Sequence, residues 1–151
     1  MTELERRADI VAEALSWVDT PFRMNACIRG VGVDCGRFPR AVLSACGVVV
    51  PELPPHWPRD FMHHKMAISE PYLDLLQTAL SEVSVPLPGD VALFKAHQSL
   101  CFSHAAIVID WPRIIHARGI GSHPCVEEST ASAWPLGAGI PVRFFSAFQS
   151  V

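Results

Sequence analysis

Ser103-His104-Ala105-Ala106-Ile107-Val108-Ile109-Asp110-Trp111-Pro112-Arg113-Ile114-Ile115-His116-Ala117 reads as two short strands around a turn. Both arms are rich in small and β-branched residues, and Asp110-Trp111-Pro112 supplies turn chemistry between them. Each arm carries one histidine. Side chains alternate along a strand, so the hairpin register decides whether His104 and His116 share a face. A three-residue loop, Asp110-Trp111-Pro112, pairs Ile109 with Arg113 and sets His116 opposite Ala106. His104 is then its diagonal neighbour, roughly 7–8 Å away at the backbone and within reach of a second imidazole. A two-residue loop pairs Asp110 with Arg113 and sends the histidines to opposite faces. Two histidines that work together therefore require an odd loop or a β-bulge.

Outward from this hairpin the chain divides into a helical first half and a stranded second half. Leu4, Ala8, Val11, Leu15 and Val18 fall at helical spacing, and Asp19-Thr20-Pro21 stops that helix. Phe22 to Val33 has no sustained period and reads as a loop. A second helix is expected from Cys35 to Cys46, ended by Gly47. Tyr72, Leu75, Leu76, Ala79, Leu80 and Val83 mark a third. Between Pro51 and Pro71 the proline-rich chain is expected to cross one face of the fold as a surface excursion. Pro88-Gly89-Asp90 then turns into the strand Val91 to Phe94. Further strands are expected at 104–110, 113–117, 125–127 and 140–144. Helices first and strands afterwards argue an α+β fold, with the N-terminal helices packed on an antiparallel sheet of about five strands.

The composition limits what such a fold could do. With 151 residues, the length suits one domain over 1–151. Half of the residues are apolar and 18% are charged, which excludes intrinsic disorder. A net charge of −3 gives no electrostatic footprint for nucleic acid. No apolar run approaches the roughly 20 residues of a membrane span, so no membrane insertion is expected. The N-terminal charges are not followed by an apolar stretch, so no secretory signal is read there. Five cysteines are an odd number and read as free thiols in a protein made in the cytoplasm.

One of these thiols stands out. Gly32-Val33-Asp34-Cys35-Gly36-Arg37-Phe38 places Cys35 at the start of the second helix, where unpaired N–H groups and the helix dipole favour a thiolate. Asp34 is positioned to cap that helix. A nucleophilic cysteine needs a base on a rigid element facing it, and the histidine hairpin supplies two. Cys27, Cys46, Cys101 and Cys125 read as packing residues. The pair His63-His64 lacks the converging partners of a zinc site, and no metal or other cofactor is expected.

Together these segments resemble a known family. Thr20-Pro21-Phe22, Gly32-Val33-Asp34-Cys35, Leu87-Pro88-Gly89-Asp90-Val91, Ser103-His104-Ala105-Ala106-Ile107 and Ile114-Ile115-His116-Ala117 occur in the order and spacing of the NlpC-type cell-wall cysteine peptidases, which are compact papain-like enzymes. The resemblance spans residues 8 to 145. It implies a Cys35–His104–His116 triad without metal, in which Cys35 is the nucleophile, His104 its base, and His116 the residue that orients His104. It also implies an oxyanion contact from the Cys35 backbone N–H. The substrate implied is an amide in bacterial peptidoglycan stem peptides, typically between γ-D-glutamate and a diamino acid. Phe22, Arg29, Asp34, Arg37 and Ser103 are the expected substrate-side residues. Two of them depart from the family pattern: Phe22 replaces a tyrosine, and Arg37 brings a long cation close behind the nucleophile.

The run from Arg7 through Cys35 is similar to the short peptidases of phage tails and gene-transfer particles. That implies other particle proteins as partners and a site of action at the cell wall. A structural tail protein that keeps the fold without the activity is the alternative reading, and an amidase or acyltransferase on the same scaffold is a third.

Overall fold

The structure is a computed structural model that describes residues 1–55, 70–96 and 99–148. Helix α1 (Glu3–Leu15) opens with a capping box. Thr2 Oγ1 accepts from the Glu5 amide at 3.2 Å, and Glu5 Oε2 accepts from the Thr2 amide at 2.6 Å. The helix buries Arg7, Ile10 and Ala14, with Trp17 just beyond its end. The expected inward stripe is a different one, and its Leu4 is in fact 78% exposed. Both stripes satisfy the helical period. Trp17, edge-on to Phe38 at 6.1 Å, and Arg7, 2.8 Å from the buried Asp90 carboxylate, accompany the turn of the helix the other way.

The stretch expected to be a loop contains a small antiparallel hairpin, β1 (Cys27–Ile28) and β2 (Gly32–Val33). Helix α2 (Arg37–Ala45) follows and buries Phe38, Val42 and Leu43 against the sheet side. It stops as expected at Gly47, whose φ of 80° only glycine adopts without cost; the next amide, on Val48, returns to the Leu43 carbonyl at 3.0 Å. Helix α3 (Pro71–Ala79) is shorter than its sequence period predicts. The chain becomes extended at Leu80, and Ser81–Val83 forms strand β3. Hydrogen bonds to another strand outweigh a local helical pattern there.

The remaining strands are β4 (Val91–Phe94), β5 (His104–Asp110), β6 (Arg113–Ala117), β7 (Val126–Thr130) and β8 (Val142–Ser146). They form one sheet in the order β3-β8-β4-β5-β6-β7, antiparallel at every pair. The fold is thus α+β as expected, with β3 added at one edge. One face of the sheet presents Val91, Leu93, Ala105, Ile107, Ile115 and Phe145 to the helices. The other carries a smaller cluster of Ala92, Phe94, Ala106, Val108 and Ile114 under Leu136. Most of the proline-rich excursion, together with His56, His63, His64 and His97, lies outside the described residues.

Candidate active site

The β5–β6 hairpin has an unusual register. Asp110 pairs with Arg113, as a two-residue turn demands, yet Val108 pairs with Ile114, Ile107 with Ile115 and Ala106 with His116. Ile109 is the bulged residue that reconciles the two. The bulge meets the geometric requirement read from the sequence, and both histidines leave the same face. His104 Nε2 and His116 Nδ1 are 2.8 Å apart, with the rings nearly perpendicular at 89°. Both residues are buried. Burial pushes the pKa of each imidazole well below the ordinary value, and the two neighbours reinforce this: His116 acts on His104, and the Arg118 guanidinium acts on His116. Both effects favour the neutral imidazoles.

Cys35 reaches this end of β5 from the other side of the chain. Its Sγ lies 3.8 Å from the carbonyl oxygen of Ser103, the residue preceding His104. The thiol was expected to ionise easily at a helix start. Helix α2 instead begins at Arg37, two residues later, and Cys35 is buried. Burial pushes its pKa up to about 12, and the Asp34 carboxylate adds to the effect; the nearby backbone N–H groups and Arg37 oppose it but do not offset it. Burial and Asp34 both favour the thiol over the thiolate.

The turn that holds Cys35 is built on Asp34. Asp34 Oδ1 accepts from the Gly36 and Arg37 amides at 3.1 and 2.8 Å, and Oδ2 accepts from the Asn25 amide at 2.8 Å. Its carboxylate is closed by Arg37 Nη1 at 2.7 Å. The Arg37 guanidinium also donates to Asn25 Oδ1 at 3.2 Å and to the Pro54 carbonyl. Arg37 is thus folded back into the scaffold rather than extended into a groove. From α3, the hydroxyl of Tyr72 donates to the Gly36 carbonyl at 2.9 Å, fixing the residue after the cysteine.

The other residues picked from the sequence are distributed unevenly. Ser103 is buried, and its Oγ lies 3.3 Å from Ser99 Oγ. Phe22 packs its ring against Gly119, two residues past the β6 end; a Cβ at Gly119 would lie 2.9 Å from Phe22 Cζ. Arg29 points elsewhere: Nη2 meets Glu13 Oε1 at 2.6 Å, and its guanidinium stacks over Trp17. Three residues near the site were not picked from the sequence. They are Tyr72, Asn25 and Glu127, and Glu127 faces His116 across the β6–β7 pair. Among the described residues, no group of three or more His, Cys, Asp or Glu side chains could hold a metal ion. No helix among them is long and apolar enough to cross a membrane.

This backbone overlays the NlpC/p60 domain of the peptidoglycan hydrolase SagA over 91% of this chain and 96% of that one, with a TM-score of 0.55 and 21% identity. The chain has the NlpC/p60 fold. A Staphylococcus aureus protein described as similar to a lipoprotein of the NLP/P60 family gives a TM-score of 0.64 at 16% identity. The match covers 95% of this chain but only 42% of the staphylococcal one. RipD from Mycobacterium tuberculosis, described as a non-catalytic NlpC/p60 domain protein adapted to peptidoglycan binding, gives 0.58 at 13% identity over 95% of this chain and 98% of its own. No protein-family model matches the sequence, and no curated protein matches it. The NlpC/p60 fold therefore hosts more than one role, and the site has to argue the chemistry.

Proposed function

We propose that this chain is a peptidoglycan hydrolase, a cysteine endopeptidase whose single domain spans 1–151 and which cuts the amide between γ-D-glutamate and a diamino acid in stem peptides. The observation that carries this reading is the 2.8 Å His104–His116 contact, on a strand whose preceding carbonyl touches Cys35 Sγ. With both partners neutral at rest, His104 Nδ1 takes the thiol proton as Sγ attacks the amide carbonyl. The C–S bond forms, and the oxyanion is held by the Cys35 backbone N–H. Collapse breaks the C–N bond, and the imidazolium returns its proton to the leaving amine. Water, deprotonated by the same imidazole, then hydrolyses the thioester. His116 keeps His104 in the required orientation and tautomer. Transfer within the Cys35–His104 pair keeps it net neutral, so burial opposes this step less than it opposes ionising either group alone.

We further propose that the enzyme reaches the wall as a component of a phage tail or gene-transfer particle, a reading supported by the sequence between Arg7 and Cys35. The test of the chemistry is digestion of purified sacculi by wild type and Cys35→Ala, with the fragments read by mass spectrometry. Wild type should release fragments with a new diamino-acid amino terminus, and Cys35→Ala should release none. Identical fragments from both would overturn the reading.

A second reading is a structural or peptidoglycan-binding protein without activity. The deep burial of Cys35 favours it, as does the similarity to RipD. Sedimentation of Cys35→Ala and wild type with sacculi, without release of fragments by either, is the outcome it expects.

A further inference from the structure

The register that unites the histidines extends one strand further. Glu127 is the β7 residue directly opposite His116, and its Oε1 lies 3.3 Å from His116 Nε2. That nitrogen is fully buried and has no hydrogen-bond partner among the described residues, so the approach to Glu127 is close but not aligned as a bond. The same carboxylate oxygen accepts from Arg118 Nε at 2.7 Å. Arg118 is held in turn by the carbonyls of Ile120, Ser122 and His123. Glu127 is thus fixed in place beside an imidazole nitrogen that has no hydrogen-bond partner among the described residues.

That placement bears on the proton between the histidines. A neutral imidazole carries one hydrogen, on either Nδ1 or Nε2. If His116 carries it on Nδ1, its Nε2 lone pair is buried against a carboxylate and repelled. If it carries it on Nε2, the hydrogen sits on the nitrogen 3.3 Å from Glu127 Oε1, where the carboxylate attracts it, and Nδ1 becomes an acceptor. His104 must then donate from Nε2, which leaves the lone pair on its Nδ1. That is the nitrogen the proposed reaction needs as its base.

We propose that Glu127 is a positioning residue that selects the Nε2–H tautomer of His116 and, through it, the reactive tautomer of His104. The catalytic consequence rests on the hydrolase reading above; the tautomer selection does not. Among the described residues, the charged and titratable groups that face His116 are His104 from β5, Glu127 from β7 and Arg118 at the end of β6.

The test is two-bond ¹H–¹⁵N spectroscopy of the histidine side chains, run beside sacculus digestion across pH. In wild type both histidines should show the Nε2–H pattern. Glu127→Leu should lose it at His116 and lower kcat about tenfold or more, with KM little changed. Glu127→Gln keeps an acceptor oxygen but no charge. It should retain the tautomer while the acid limb of the pH profile moves down about one unit. Arg118→Met frees the Glu127 oxygen and removes a repelling cation, so it should move the same limb up by about one unit. A purely structural role for the Arg118–Glu127 pair would move all three variants in the same direction. An unchanged His116 tautomer in Glu127→Leu would overturn the proposal. If that variant does not fold, an Arg118→Met limb that stays put or moves down would overturn it. Should wild type release no fragments, the hydrolase reading fails, and the spectra still decide the role of Glu127.

Discussion

His104 Nε2 sits 2.8 Å from His116 Nδ1 because Ile109 bulges out of β5 between the Val108–Ile114 and Asp110–Arg113 pairs. A β-bulge adds one residue to one strand and so inverts the facing of everything beyond it. In a regular ladder, a two-residue turn and a twelve-position separation would place the imidazoles on opposite sides of the sheet. The bulge takes up the one residue by which the twelve-position separation and the two-residue turn disagree.

Deleting Ile109 should remove the bulge and leave the histidines paired, because Asp110–Arg113 and Val108–Ile114 then belong to one regular ladder. The cost should be the packing of a half-buried side chain, about 1 kcal/mol. Urea denaturation should show the small loss, and histidine side-chain spectra should show the retained contact. Loss of the contact would mean that the bulge shapes the strand beyond its register.

Acid should destabilise the protein earlier than its carboxylates alone would explain. Both histidines have folded-state pKa values below the ordinary 6.5, so between pH 6.5 and the folded values the unfolded chain binds protons that the folded chain refuses. Stability is complete above pH 6.5 and is lost as pH falls, by up to about 1.4 kcal/mol per unit for each histidine. Melting temperatures of wild type should drop between pH 7 and pH 5, and His104→Gln/His116→Gln should flatten that drop.

Arg37→Ala should act on stability. It strands the Asp34 carboxylate, which is buried and caps the turn around Cys35. Breaking such a pair typically costs about 3–5 kcal/mol. Urea midpoints should fall accordingly, and Arg37→Lys should recover only part of the loss, because an ammonium cannot meet Asp34, Asn25 and Pro54 with the planar fork of a guanidinium. An Arg37→Ala protein of wild-type stability and raised KM would instead place Arg37 on the substrate.

Alkylation should not pick out Cys35 in the resting protein. Cys27 is exposed, whereas Cys35 is buried with its pKa raised to about 12. Peptide mapping after brief iodoacetamide treatment at pH 7.5 should find Cys27 labelled well before Cys35. Preferential labelling of Cys35 would show a preformed thiolate–imidazolium pair.

Local chemistry made much of this legible in advance. The α1 period, the Gly47 stop and the Val91–Phe94 strand follow from side-chain spacing and turn residues, as does the condition on the histidine register. Which face of α1 turns inward did not, since Leu4 and Ile10 belong to stripes of equal period and the choice goes with Arg7 meeting Asp90, 83 positions away. Ser81–Val83 continued a helical pattern in sequence and became a strand because β8 offered it a ladder.

Read along the chain alone, the hairpin sets a condition, that the two histidines share a face only with an odd loop or a bulge, and a cysteine stands at the start of the second helical segment. Those are rules of covalent spacing and side-chain alternation, which act over a few residues. The folded chain decided that the condition is met, and by a bulge at Ile109 rather than a three-residue loop. It also decided that Cys35 is a buried thiol, that Arg37 serves Asp34, and that Glu127 faces His116. Each of these turns on burial or on pairing between distant strands, and the energies involved exist only once the chain has closed around the site.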